Sequence, residues 1–193
     1  MKTRSTVLPP DEVVAATRLW IERAVIGLNL CPFAKAVYIK EQIRYAVSPA
    51  QDTGALLDEL KRELVFLAQA APEAVDTTLL IHPQMLTEFL GYNEFLSVAD
   101  AALEDLGLER VLQIASFHPA YQFAGTRADD ITNYTNRSPY PMLHLLREAS
   151  IDRAVAAFPE AEEIYQKNIE TLRRLGVAGW EALDLTPPPA HRS

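Results

Sequence analysis

The sequence predicts an α/β fold: a small, mostly parallel sheet with crossover helices and a helical C-terminal third. Two observations carry this. Three short apolar runs, "IRYAVSP" (43–49), "DTTLLIHP" (76–83) and "RVLQIASFHP" (110–119), are separated by stretches whose apolar residues recur every three or four positions. Beyond residue 138 only helical signals remain. Strands joined by crossover helices run parallel, and such crossovers are right-handed.

The elements follow in order. Asp11 is placed to cap a first helix with a stripe of Val14, Thr17, Ile21, Val25 and Leu28, ending near Gly27–Asn29. Pro32 in "GLNLCPFA" blocks its continuation. After the first strand, Asp52 opens a second helix on Leu57, Leu60, Leu64 and Leu67. The second strand is too uniformly apolar to have a wet face, so it is expected to be buried on both sides, and the third is of the same type. Between them a helix over 86–106 carries Leu86, Phe89, Leu90, Leu96, Ala99, Leu103 and Leu106, with Gly107 as its stop. Ser138-Pro139 reads as a hydroxyl cap followed by proline at the first helical position. Ser150 starts a short helix through Phe158, and residues 160–175 form a last helix stopped by Gly176. One domain over 11–180 is expected, with flexible termini at 1–10 and 186–193.

Composition narrows the class. The 193 residues are 49% hydrophobic and 23% charged, the profile of a soluble globular chain that buries enough surface to fold without disulfides. The net charge of −8 argues against a nucleic-acid partner and against an anionic membrane surface. No apolar run approaches the ~20 residues of a membrane-spanning helix. The N-terminus lacks the apolar core of a signal peptide, and a single cysteine excludes an internal disulfide. A cytoplasmic protein is expected.

The chemistry converges on one edge. The strands end in Ser48-Pro49, His82-Pro83 and His118-Pro119, so parallel strands bring two of the four histidines to the carboxyl edge of the sheet. Ligands of open α/β sheets bind in the crevice beyond that edge. A polar connection, "SFHPAYQFAGTRADDITNYTNRSPYPMLHLL" (116–146), leaves the same edge. Connections longer than about 12–15 residues are usually functional or disordered. Its aromatic residues favour an ordered lid or wall. It supplies Asp129, Asp130, Asn133, Asn136, Arg137 and Tyr121. Carboxylates orient a histidine or bind a metal, amides hold polar groups, and Arg137 offers a planar fork for an anion. The alternative is that the Asp and Asn side chains satisfy turn backbone. The positive end of the helix after Ser138 would add an anion site, with His144 and Arg147 on one of its faces. For Arg147 a surface ion pair is the better reading. Cys31 reads as a core thiol, or as a nucleophile if a strand-end histidine reaches it. Phosphate loops, dinucleotide fingerprints, nucleophile elbows and HExxH are absent from the sequence, so no nucleotide cofactor is expected.

"GLNLCPFA", "IHP", "SFHPAYQFAG" and "DDITNYTNRSPYPMLHLLREASI" together resemble an uncharacterised bacterial family of domains of unknown function, DUF 1415, over about residues 12–180. The resemblance implies one domain of that family and carries no activity.

Three readings stay open. In the first, the protein is an enzyme acting on a small anionic metabolite, with His118 as general acid/base and Asp129 or Asp130 orienting it. His82 and Asn133 would polarise the substrate, Arg137 would hold its anionic group, and Asn136, Tyr121 and His144 would contribute contacts. In the second, His82, His118 and Asp130 bind Zn or non-haem Fe. In the third, the chain is a non-catalytic small-ligand or protein-binding module, favoured if the loop's Asn and Asp are satisfied internally.

Overall fold

The first helix, α1 (Pro10–Trp20), has proline at its first position and Asp11 and Glu12 in the first turn, where the helix dipole favours acids. It widens into a π-helical turn, Ile21–Ile26, closed by a bond from Gly27 N–H to Glu22 O. The widened turn shifts the buried face to Val13, Ala16, Thr17, Trp20, Ile21 and Ala24, leaving Val14 and Val25 at the margin of the predicted stripe. A Cβ at Gly27 would lie 2.3 Å from Arg23 O, so that position admits only glycine. The computed structural model describes residues 8–157 and 163–186. Most of the two termini expected to be flexible, and the expected helix end at Phe158, lie outside the described residues.

A short helix, α2 (Ala34–Ile39), leads into β1 (Ile43–Val47). Helix α3 (Thr53–Gln69) is capped by Asp52, whose carboxylate accepts the Ala55 N–H at 2.8 Å, and buries Leu56, Leu60, Leu64 and Leu67. Strand β2 (Thr77–Ile81) is buried at every residue, as its apolar run predicts. Helix α4 (Phe89–Asp105) returns the chain to β3 (Leu112–Phe117). The C-terminal third holds α5 (Glu148–Ala157) and α6 (Ile164–Glu181).

The α/β class, the crossover helices and the helical C-terminal region are as expected. The sheet contains one strand that the sequence analysis reads as helix. Residues after Ser138-Pro139 form β4 (Met142–Arg147), which lies between β2 and β3 and is antiparallel to both, giving the order β1-β2-β4-β3. The three expected strands share a direction, but only β1 and β2 pair in parallel. The reason is tertiary. "MLHLL" suits a helix by intrinsic propensity, yet the gap between β2 and β3 presents unpaired backbone from both sides, and β4 satisfies it. Ser138 caps nothing: its hydroxyl donates to Tyr140 O at 2.7 Å. Helix α5 starts directly at Glu148. Strand β3 becomes an edge, with Gln113 exposed, rather than a strand covered on both faces.

The sheet separates two cores. Leu80, Leu143, Leu145 and Leu112 pack with α3 and α4, including the buried Tyr92 and Phe95. Leu79, Ile81 and Met142 pack on the other face with Val13, Trp20, Ile21 and Ala24 of α1 and its π turn. Arg147 is buried rather than paired on the surface. Its guanidinium donates to Ala70 O at 2.6 Å and Val75 O at 3.1 Å, tying β4 to the chain leaving α3. On a strand, residues three apart face opposite sides, so His144 and Arg147 do not share a face.

Candidate functional site

The two strand-end histidines do reach the same edge, on the α3/α4 face, but β4 keeps their strands apart. Tyr92, fully buried, stands between them, with ring centroids 5.9 Å from His82 and 5.0 Å from His118. Its hydroxyl donates to Met142 O at 2.9 Å and accepts the Phe117 N–H at 3.0 Å, pinning the edge where β3 and β4 meet.

Hydrogen bonds assign each ring a role. His118 Nδ1 accepts the Ala120 N–H at 2.9 Å, so Nε2 carries the proton and donates to Leu86 O at 3.1 Å. His82 Nδ1 donates to Met85 O at 2.9 Å, which leaves Nε2 as a buried acceptor without a partner among the described residues. The two rings thus hold consecutive carbonyls of the loop entering α4, where Leu86 takes a left-handed φ of 54°. Burial holds the His82 pKa down at about 4 and lowers that of His118. The histidines share a role, and it is to fasten a strained loop. For His118, with both ring nitrogens engaged, an acid/base role would require breaking that fastening; His82 keeps Nε2 uncommitted but buried.

The loop's Asn133 and Asp130 are satisfied from within the loop. Asn133, with no exposed surface, accepts the Phe123 N–H and the Thr126 hydroxyl and donates to Arg127 O. Asp130 caps a 3-10 turn, Ile131–Thr135, accepting from the Thr132 N–H and hydroxyl, and these bonds lower its pKa. Asn136 donates to Ser116 O, and its own carbonyl accepts the His118 N–H. Asp129 is exposed and paired with Arg127, not with a histidine. Tyr121 packs on Phe89 and Phe123. Of the side chains expected to bind substrate, Asn133 and Asn136 are spent on the loop and on β3 backbone.

The remaining candidates separate. His144 lies in the middle of β4, where Nε2–H donates to the Thr77 hydroxyl at 2.8 Å and Thr77 donates to Leu145 O. It is a sheet residue, and the helix end expected beside it does not exist. Burial holds its pKa at about 4. Burial also pushes the Cys31 thiol up, against the direction a nucleophile needs, and no histidine hydrogen-bonds it among the described residues. No group of three or more His, Cys, Asp or Glu among the described residues is arranged to hold a metal ion, so His82, His118 and Asp130 do not form a ligand set.

A cleft does lie beyond the carboxyl end of β3, on the opposite face from the histidines. It encloses about 290 Å³ and is walled by Trp20, Tyr134 and Trp180, with Pro119 and Pro139 at the strand ends and Arg137 beside them. Each wall has a local cause. Trp20 ends α1 and meets Phe117 edge-on at 5.5 Å. Tyr134 sits in the 3-10 turn, and the Arg137 guanidinium lies 4.4 Å over its ring. Gly176 (φ 66°, ψ 175°) breaks α6, and beyond the break Trp180 meets Tyr134 edge-on at 4.9 Å. Arg23 donates to Leu183 O and Asp184 O, tying the end of that wall to the π turn of α1. Arg137 spends Nε on Tyr121 O (3.2 Å) and Nη2 on Ala128 O (2.6 Å), which fixes its plane and leaves Nη1 without a partner among the described residues. A second cleft of about 320 Å³, between α3 and α4, is lined by Leu57, Leu86, Phe95 and Val98 with Glu94, and has no cation.

Of the cleft residues, Arg137 is the one expected from the sequence to bind a ligand; Tyr134 is one of the loop's packing aromatics, and neither tryptophan carries an expectation. Two signals point to them: they are the only two tryptophans of the chain, and Tyr134 lies three residues before Arg137.

A family model described as "Protein of unknown function (DUF1415)" matches residues 12–182. No curated protein and no solved structure matches the chain.

Proposed function

We propose a function from geometry, because the chain belongs to the DUF1415 family, whose description assigns none: the protein binds a small anionic molecule in the cleft beyond β3, through Arg137. The observation that carries the reading is the fixed guanidinium at the cleft, with Nη1 uncommitted and no carboxylate in the lining. A preoriented guanidinium loses little entropy on taking an anion. The volume sits at the low end of the ~300–1,000 Å³ of ligand sites, which suits a metabolite and not a dinucleotide. The reading is binding rather than acid–base turnover, since neither strand-end histidine lines this cleft and both rings hold the loop before α4. Net charge −8 speaks against nucleic acid, and a lone cysteine goes with a cytoplasmic setting. No described helix is long and apolar enough to cross a membrane.

A ligand that binds only the native state raises the melting temperature. Titrating acetate, benzoate and inorganic phosphate is expected to raise that of the parent, with the response lost in Arg137→Gln and partly kept in Arg137→Lys. An equal response in parent and Arg137→Gln, or none to any anion, would remove the reading.

A further inference from the structure

We infer that the ligand of this cleft is an aromatic carboxylate: one planar ring held between the tryptophans and Tyr134, its acid group shared by Arg137 and the indole N–H of Trp20. The inference rests on the anion reading above and adds the ligand's class. Three observations support it.

The first is an orphaned donor. Trp20 lines the cleft and is 4% exposed, yet its Nε1–H is buried without an acceptor among the described residues. Indole N–H groups are donors only, and a buried one normally finds a partner. The ligand therefore presents an acceptor to it. The second is the wall chemistry. Three aromatic side chains, two prolines and Leu185 line a space of about 290 Å³, room enough for a ring system against flat apolar walls. Tyr134 is already engaged by the Arg137 cation on its face and by Trp180 at edge-on geometry, so the aromatic surfaces are held rigid in advance. The third is the donor set. The lining holds one cation, Arg137 with Nη1 uncommitted, no carboxylate, and the donor-only Trp20 N–H, whereas the Ser138 hydroxyl proton is already given to Tyr140 O. A cation beside a donor-only group favours a deprotonated acid over an alcohol or amine.

Trp20 and Trp180 are the only two tryptophans, so intrinsic fluorescence reports on this cleft directly. The test titrates benzoate, cyclohexanecarboxylate, acetate and benzyl alcohol into the full chain. Benzoate is expected to shift the emission and to bind at least tenfold more tightly than cyclohexanecarboxylate, which matches it in charge and size but is not flat. Benzyl alcohol and acetate are expected to bind more weakly than either. Trp20→Phe keeps a ring and loses the N–H, and is expected to weaken benzoate about tenfold. Trp180→Ala removes one wall and is expected to weaken benzoate more than acetate. Equal binding of benzoate and cyclohexanecarboxylate would overturn the aromatic assignment while leaving anion binding intact, as would Arg137-dependent binding of acetate with no gain from the ring. Failure of every carboxylate, with phosphate also silent in the melting experiment, would remove the anion reading itself. Should Trp20→Phe fail to fold, the ligand comparison in the parent still decides.

Discussion

Burial holds His82 and His144 at a pKa of about 4, against 6.5 for the free imidazole, and lowers His118 in the same direction. The unfolded chain therefore takes up protons that the folded one refuses. For a group with a lowered folded pKa, the contribution is complete above the unfolded value and is lost as the pH falls toward the folded value. The window is pH 6.5 down to 4, and each of the two rings is worth about 3 kcal/mol across it. Urea midpoints are expected to fall steadily from pH 7 to pH 4, and His144→Gln to have a smaller dependence than the parent. A flat profile above pH 4.5 would contradict the buried neutral assignment. Asp130, also with a lowered pKa, acts further into acid and does not mimic this window. The histidines were visible in the sequence as strand-end residues, but their partners were not. Met85 and Leu86 carry carbonyls like those of any residue, and only the path of the loop before α4 brings them to the rings.

At the scale of elements, the break at Gly176 matters most for the cleft. Its φ of 66° and ψ of 175° lie in a region open essentially to glycine, where another residue costs about 1–3 kcal/mol. A Cβ there would meet nothing within 4 Å, so the cost is backbone strain and not a clash. Gly176→Ala is expected to lower stability by about 1–3 kcal/mol and to change the fluorescence of Trp180, because a continuous helix would carry that ring away from Tyr134. Unchanged stability with unchanged emission would show that the break is not what places Trp180. Gly176 was legible as a stop from its position after an amphipathic stretch. That the chain resumes as helix and turns back over the 3-10 turn was not, since residues 177–181 carry no apolar repeat of their own. The same limit applies to β4. Its residues alternate between the two cores, but five apolar or aromatic-compatible positions in a row look alike in a strand and in a buried helix.

For the whole molecule, the strand order sets the hierarchy of stability. β2 is buried throughout and has a partner on each side, while β1 and β3 are edges. Native-state hydrogen exchange is expected to find the amides of Leu79 and Leu80 among the slowest, opening only with global unfolding, and alternate amides of β1 and β3 exchanging faster. Equal protection across the four strands would argue against this order. The order also decides what shares a face. With β4 inserted, His82 and His118 face α4 across Tyr92, and Arg137 ends up with Trp20 and Trp180 on the other side of the sheet. One polar loop therefore feeds two different places.

By itself the sequence determined the α/β class, three strands, the helices that separate them and the arrival of two histidines at one edge. These are local matters: apolar periodicity, capping and proline placement act within a few residues and leave their mark there. The tertiary structure alone decided that 142–147 is a strand, that Asp130 and Asn133 are spent within the loop, and that a tryptophan from each end of the chain lines one cleft with Arg137. Those outcomes depend on which backbone groups remain unpaired after the rest has packed. That is a property of the assembled sheet, and no single segment carries it.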